Sequence, residues 1–227
     1  MQLRDDFSQT CLVHTDELVW QPSPMQGVDR RMLDRIGGEV ARATTIVRYA
    51  PGSHFSAHTH NGGEEFIVLD GVFQDEHGDF PAGTYVRNPP TSSHTPGSEQ
   101  GCVIFVKLWQ FDPDDRAALT LDMHEALAQT QAGVAQCVLH HDAREVVSCY
   151  RLASDVSLML QATGGLELLV LEGELKTDRG ALMRHSWLRL PDDERLAASA
   201  SDQGAMFWVK TGHLRHVVAP GSLNPVP

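Results

Sequence analysis

The chain has 227 residues, of which 41% are hydrophobic, and its formal net charge is −12. This length suits one large domain or two small ones, and the apolar fraction is sufficient for packed cores. The negative charge argues against nucleic acid or an anionic membrane surface as a partner, because both would repel the chain. No apolar run is long enough to span a bilayer and no signal-peptide pattern opens the chain, so we expect a cytoplasmic protein.

The first half of the chain reads as a series of short β-strands. TTIVRYAPG (44–52) alternates in polarity and ends at a turn, and EEFIVLDG (64–71) is a short strand closed by glycine. GTYVRNPP (83–90) and CVIFVKLWQF (102–111) read as further strands. Short strands separated by Gly and Pro turns indicate a sandwich or a barrel, and nothing reads as strand–helix–strand alternation. The sequence therefore predicts an all-β fold.

Four polar residues in this half have the spacing of a metal site. On a strand, His58 and His60 project from the same face, and the NGG that follows permits a sharp reversal before Glu64 opens the next strand. His94 ends RNPPTSSH (87–94), at the entry to another strand. If these strands curl into a small barrel, the three imidazoles and the carboxylate converge, and a dication would offset the cost of burying them. Zinc, iron(II), manganese, nickel and copper(II) all suit such a ligand set.

After these strands, DPDDRAALTLDMHEALAQTQ (112–131) reads as a linker. Its DPDD opening can cap a helix, and MHEALAQ is a good helix former. The same segment could also be an extended tether, so the sequence leaves the linker's structure open.

The second half repeats the first. NGGEEFIVLDG (61–71) aligns with TGGLELLVLEG (163–173), and GTYVRNP (83–89) aligns with HSWLRLP (185–191) at the same offset. GCVIFVK then aligns with GAMFWVK, slipped by one residue. This repeat predicts two homologous domains, 1–111 and 132–227.

The opening strands of the two copies align at a larger offset. CLVHTDELV (11–19) resembles CVLHHDAREVV (137–147), which predicts equivalent opening strands and an insertion in the first copy around 20–38. Cys11 and His14 would then correspond to Cys137 and His140, and packing explains this repeated pair without a second metal.

The ligand positions are not repeated. The residues that align with the four candidate ligands are all apolar, namely Leu160, Ala162, Leu166 and Leu196. We therefore expect the second domain to be a degenerate copy without metal, and the whole chain to bind one ion. Two other polar positions do recur, because Glu65 aligns with Glu167 and Arg87 with Arg189. For Glu65 we expect a salt bridge or a role at the barrel rim rather than metal ligation, and the persistence of Glu167 favours a structural role. For Arg87 and Arg189 we expect an inter-strand or inter-domain ion pair rather than substrate binding.

GSHFSAHTHNGGEEFIVLDG (52–71) resembles the first cupin motif, G-x5-HxH-x3-E-x6-G, and PAGTYVRNPPTSSH (81–94) resembles the second. The long spacing before the second motif's histidine is similar to that of ChrR-type cupins, the C-terminal domain of zinc-binding anti-sigma factors. The resemblance covers most of the first copy closely and the second loosely. It implies two tandem cupin barrels of the double-stranded β-helix (jelly-roll) type, a bicupin. It also implies zinc as the metal, with His58, His60, Glu64 and His94 as ligands.

The resemblance leaves three functions open. The first is a regulatory or sensor cupin whose metal or ligand changes its shape for a partner. The second is a non-haem dioxygenase acting on a small hydroxy-ketone or diketone, with Glu64 as a ligand or a base. The third is a structural bicupin that zinc stabilises. The chain has no HxxxCxxC motif of the sigma-binding domain, so we do not expect it to bind a sigma factor directly.

The partner is expected to be a protein or a small-molecule ligand. Cupins often pair through sheet edges, so a homo-oligomer is also left open. The sequence identifies no catalytic residue and does not decide whether the protein is an enzyme.

Overall fold

The computed structural model describes residues 1–38, 40–127 and 133–220. Parts of the predicted linker (128–131) and of the predicted second domain (132 and 221–227) lie outside the described residues. The described chain is almost entirely β-structure, which confirms the predicted fold class. No helix among these residues is long and apolar enough to cross a membrane.

Two compact units make up the described chain. The first unit contains residues 1–5, 19–122 and 218–220, and the second contains Asp6–Leu18 and Met123–Val217. The predicted boundaries at 111 and 132 differ from this division, because Asp6–Leu18 belongs to the second unit and Leu119–Asp122 to the first.

The first unit is built on one large antiparallel sheet, with the order β1-β4-β5-β13-β8-β10-β14 along its main path. A separate two-stranded sheet pairs β7 with β11. The strands of the first unit are β1 (Gln2–Leu3), β3 (Gln21–Pro22), β4 (Val28–Gly37), β5 (Ala41–Tyr49), β6 (Ser53–His54), β7 (His58–His60), β8 (Glu64–Asp75), β9 (Gly78–Pro81), β10 (Thr84–Asn88), β11 (Ser92–His94), β12 (Gly97–Ser98), β13 (Cys102–Leu108) and β14 (Leu119–Asp122).

The second unit has a sheet of similar order, β15-β16-β21-β18-β20-β2. Short helices lie at Thr15–Glu17, Met123–Ala126 and His213–His216. The strands of this unit are β2 (Cys11–His14), β15 (Val134–His141), β16 (Val146–Leu152), β17 (Ser157–Gln161), β18 (Leu166–Thr177), β19 (Gly180–Leu182), β20 (Ser186–Leu190) and β21 (Arg195–Thr211).

The strand pairing corrects the predicted equivalence of the two opening strands. β15 pairs with β16, as β4 pairs with β5, so the counterpart of the Cys137 strand is β4. The region around 20–38 therefore contains a regular strand of the fold rather than an insertion. β2 instead pairs with β20, where it takes the place that β14 takes beside β10. Local sequence similarity misassigned β2 because strand pairing is decided by non-local contacts.

Each unit has its own apolar core on the inner face of its strands. In the first unit the core is rich in aromatic rings, and it contains Val28, Val47, Phe66, Val68, Phe73, Phe80, Val86, Cys102, Ile104 and Val106. In the second unit the core is mainly aliphatic. Its inward positions on β18 and β20 are all leucine or valine: Leu166, Leu168, Val170, Leu175, Leu188 and Leu190.

Candidate metal centre

The three candidate histidines share one face of the two-stranded sheet. β7 and β11 pair antiparallel, with His94 directly opposite His58 and Ser92 opposite His60. Opposite residues on paired strands project to the same side, and so do residues two apart on one strand. The ring centroids of the three imidazoles lie 4.7–5.1 Å from one another.

The glycine pair after His60 brings Glu64 back to the same place. Gly63 has a positive φ of 75°, and its amide donates to the His60 carbonyl at 3.1 Å, closing a tight turn. A Cβ at Gly62 would collide with the ring of Trp109, and one at Gly63 with the ring of Phe111. Only glycine therefore fits at both positions, and the turn delivers Glu64 as the first residue of β8.

The side-chain atoms of these four residues converge. Nε2 of His60 lies 3.0 Å from Nε2 of His94, and Oε2 of Glu64 lies 3.4 Å from the first and 3.6 Å from the second. His58 completes the group, since one nitrogen from each histidine lies within 4.8 Å of the other two.

These separations fit a divalent first-row ion. Bonds from such an ion to imidazole nitrogen or carboxylate oxygen are about 2.0–2.2 Å long, so neighbouring donors lie about 3.0–3.6 Å apart around it. The three measured separations fall within that range. The residues present therefore suit a metal, although the donor set does not select among the divalent ions.

Burial shifts the pKa values of His60 and Glu64 in opposite directions, in each case towards the neutral form. Burial, with a smaller contribution from the charge of His58, lowers the pKa of His60 to about 4, so its imidazole is neutral near pH 7. Burial also raises the pKa of Glu64, because its carboxylate loses hydration. A neutral imidazole has a free lone pair for an ion, and a cation beside Glu64 would stabilise its charged form.

Two residues outside the predicted set hold the ligands in position. Oδ2 of Asp75 lies 3.2 Å from Nδ1 of His94, and both side chains are nearly inaccessible to solvent, at 5% and 4% exposure. If Nδ1 donates its proton to Asp75, then Nε2 keeps its lone pair towards His60 and Glu64. The amide of Asn88 donates to Oε2 of Glu64 at 3.2 Å.

The sequence does not point to Asp75 and Asn88 as residues of the site, because the local sequence around each one offers another explanation for its presence. Asp75 lies at a turn, where its side chain also accepts from the backbone of His77, and turns commonly contain Asp. Asn88 precedes two prolines. For Asn88, the signal that could have found it is the strand register, because Asn88 of β10 pairs with Glu64 of β8.

The cluster is open to solvent on one side. His58 is the most exposed of the four residues, and its Nδ1 lies 3.2 Å from the carbonyl of Ser56. His54 lies outside the cluster, because its side chain is 69% exposed and contacts Glu99 at 3.0 Å.

The second unit has the same strand register with apolar residues in place of the ligands. Leu160 of β17 pairs with Leu196 of β21, just as His58 pairs with His94. All four residues aligned with the ligands belong to the buried core of that unit: Leu160, Ala162, Leu166 and Leu196.

Solved structures show the same fold at low sequence identity. The chain matches a Nostoc punctiforme protein with the provisional name dioxygenase at 15% identity and a TM-score of 0.70, over 97% of this chain and 88% of that one. It matches the nickel(II)-bound pirin YhhW of Escherichia coli at 14% identity and a TM-score of 0.65, over 90% and 99%. A variant of oxalate decarboxylase from B. subtilis matches at 11% identity and a TM-score of 0.63, over 88% and 76%. At these identities the likeness shows the fold alone.

The all-β fold brings three candidate metal-binding histidines together, with the carboxylate of Glu64 beside two of them. No curated protein matches the chain. Residues 8–112 match the family described as the ChrR cupin-like domain.

Proposed function

We propose that the first unit is a zinc-binding cupin domain with a regulatory or sensor role. The observation that carries this proposal is that one nitrogen of each of three imidazoles lies within 4.8 Å of the other two, with the carboxylate of Glu64 at 3.4 Å and 3.6 Å from two of them. Zinc follows from the family resemblance, and the fit of the donor atoms supports a divalent ion of that size.

The positions of the ligands suggest how metal binding could be sensed. His58, His60 and His94 lie on the two-stranded sheet, whereas Glu64 begins β8 of the large sheet. Among the described strands, the β-ladder of the small sheet does not extend into the large one. An ion bound by all four residues would therefore tie the two sheets together, and its binding free energy would stabilise their contact. A protein or small-molecule partner could then distinguish the metal-bound state from the metal-free state.

Metal analysis of protein purified without added ions tests the first part of the proposal. We expect about one zinc per chain, because the second unit has apolar residues at all four equivalent positions. Two equivalents, or none, would contradict it.

Hydrogen exchange with and without EDTA tests the second part. Metal removal should speed amide exchange in residues 58–60 and 92–94, because these strands lose their link to β8. The strands of the second unit provide an internal control and should exchange at the same rate in both samples. Equal exchange of β7 and β11 in the two samples would argue against a metal-dependent change.

The open side of the cluster favours a second candidate, a non-haem dioxygenase acting on a small hydroxy-ketone or diketone. His58 is exposed to solvent, so a ligand could reach the ion from that side. Iron(II) would supply the chemistry of O₂ activation, while this chain would bind and orient the substrate. Oxygen uptake by iron-loaded protein with 2,4-pentanedione or hydroxyacetone separates the candidates. Substrate-dependent uptake establishes the enzyme, and zinc without uptake supports the regulatory proposal.

A further inference from the structure

Three backbone hydrogen bonds fix the turn that separates His60 from Glu64. The amides of Gly63 and Thr91 donate to the carbonyl of His60, at 3.1 Å and 2.9 Å. The amide of Trp109, which directly follows β13, donates to the carbonyl of Gly63 at 3.2 Å. Two residues that are distant in sequence, Thr91 and Trp109, therefore hold this turn in place.

The second unit has the same three hydrogen bonds. The amides of Gly165 and Asp193 donate to the carbonyl of Ala162, at 2.9 Å and 3.0 Å. The amide of Gly212 donates to the carbonyl of Gly165 at 3.2 Å. The turn therefore has one backbone arrangement in both units, and Gly212 is the counterpart of Trp109.

These two counterparts share an unusual backbone conformation. The φ angle is 60° at Trp109 and 90° at Gly212. Positive φ is ordinary for glycine, but a bulky residue is strained there because its Cβ crowds the backbone. Such strain persists only where the surrounding structure maintains it, and an outlier of this kind points to a functional constraint. The second unit avoids the strain by using glycine, and the first unit does not.

The indole of Trp109 covers the first glycine of the turn. A Cβ at Gly62 would collide with the indole ring, whereas a Cβ at the equivalent Gly164 would meet the backbone of Gly212. The second unit therefore packs this glycine without a ring. The ring lies in the unit whose turn joins two candidate ligands, at a position that the shared backbone can fill with glycine.

The second glycine of the turn shows a different pattern. A Cβ at Gly63 would collide with the ring of Phe111, and one at Gly165 with the side chain of Leu214. Both units therefore place a large apolar side chain on this glycine, with or without ligands nearby. Phe111 is buried, but Trp109 is only half-buried. Burial therefore explains Phe111 better than it explains a strained tryptophan.

We propose that Trp109 is a positioning residue for the metal centre, whose indole presses on Gly62 and restricts the turn from His60 to Glu64. Nε2 of His60 and Oε2 of Glu64 lie 3.4 Å apart, as two donors to one ion require. Because the ring limits movement of the turn, less conformational freedom is lost when the ion binds, and affinity rises. This inference rests on the proposed function for the metal, and it adds a residue that contributes no donor atom.

The zinc affinity of the full chain, measured by chelator competition, tests the inference. Trp109→Gly keeps the left-handed backbone that Gly212 adopts in the second unit and removes the ring. We expect it to weaken zinc binding about 10-fold, as for loss of a residue that supports metal ligands. The visible spectrum of the cobalt(II)-loaded protein should also change, because it reports the ligand geometry. Trp109→Phe keeps a ring over Gly62 and should weaken binding by less than about threefold.

Trp20→Gly is the matched control. Trp20 is also a half-buried tryptophan of the first unit, but its ring lies against the guanidinium groups of Arg31 and Arg48, at 4.2 Å and 4.5 Å. This variant should keep zinc affinity within about twofold of the unchanged chain. Circular dichroism checks that Trp109→Gly is folded. If it is not, Trp109→Asn replaces it, because asparagine tolerates the left-handed conformation.

Hydrogen exchange in EDTA tests the hold on the turn without a metal. The amide of Gly63 should exchange about 10-fold faster in Trp109→Gly than in the unchanged chain, because the turn opens more often without the ring. Trp20→Gly should leave that exchange unchanged.

The outcomes separate this inference from the metal proposal. If the unchanged chain binds zinc and Trp109→Gly has the same affinity and cobalt(II) spectrum, this inference fails and the metal proposal stands. Equal losses of affinity in Trp109→Gly and Trp20→Gly would also overturn it. If the unchanged chain binds no divalent ion, the metal proposal fails, and exchange at Gly63 then decides. Faster exchange in Trp109→Gly keeps the positioning role of the ring, and equal exchange removes it.

Discussion

The two units share a strand register but differ in what fills it. His58 faces His94 across the strands of the first unit, and Leu160 faces Leu196 at the equivalent place in the second. In the second unit these positions belong to a continuous apolar core, so the strand register itself does not require a metal. The polar cluster is therefore a feature of the first unit and not of the shared register.

The buried carboxylates of Glu65 and Glu167 show the opposite pattern, because both units keep them. The hydroxyl of Tyr85 donates to Glu65 at 2.8 Å, and the indole of Trp187 donates to Glu167 at 3.2 Å. All four side chains are almost completely buried. These hydrogen bonds support the structural role that the sequence predicts for Glu65 and Glu167, which remains a prediction.

The largest expected effect is the loss of metal from His58→Ala combined with His60→Ala. Removal of two donors from a four-donor site should lower the metal content from about one equivalent to near zero. Elemental analysis measures this change. His54→Ala combined with His77→Ala is the control, since both residues are exposed and lie outside the cluster. If the variant with both His58→Ala and His60→Ala retains one equivalent of metal per chain, the metal does not bind at this cluster and the proposed difference between the units is wrong.

The next effect tests the second unit, by placing a carboxylate where the first unit has one. Leu166→Glu puts a charge into an apolar core without a cation or a partner there. We expect a loss of about 3–5 kcal/mol in the free energy of unfolding, measured by denaturant titration. Met159→Glu is the matched control, because Met159 is 60% exposed, and it should change stability by less than about 0.5 kcal/mol. An unchanged free energy of unfolding in Leu166→Glu would show that this core tolerates the carboxyl group.

A smaller effect on zinc affinity is expected from residues that contact the ligands. Asp75→Asn removes the charge beside Nδ1 of His94 and should lower zinc affinity about 10- to 100-fold in a chelator competition. Asp79→Asn is the control, since Asp79 accepts from exposed Gln74 on the same hairpin. Equal affinity in both variants would mean that Asp75 does not orient the ligand.

The smallest effect concerns the buried carboxylates Glu65 and Glu167. Tyr85→Phe removes a donor to buried Glu65 and should lower the free energy of unfolding by about 1–3 kcal/mol, without changing the zinc content. Trp187→Phe removes the equivalent donor to Glu167 and serves as the comparison. A loss of zinc in Tyr85→Phe would contradict the separation of structural and metal-binding faces.

Much of this arrangement could be predicted from the sequence because it depends on local spacing. Strand alternation and the turn at Gly62–Gly63 predict that His58, His60 and Glu64 lie close together. The assignment of β2 could not be read in the same way. Its match to the Cys137 strand is short, and its real partner, β20, lies in the other half of the sequence. Metal ligation by the four residues remains a prediction.

The pairing of β2 with β20 has a consequence for biosynthesis. The segment Cys11–His14 is translated well before its hydrogen-bonding partner, Ser186–Arg189. The nascent second unit therefore cannot close its sheet until β20 has been translated, and the early strand must stay soluble with an unpaired edge in the meantime. Its short length of four residues limits the risk of aggregation during that wait.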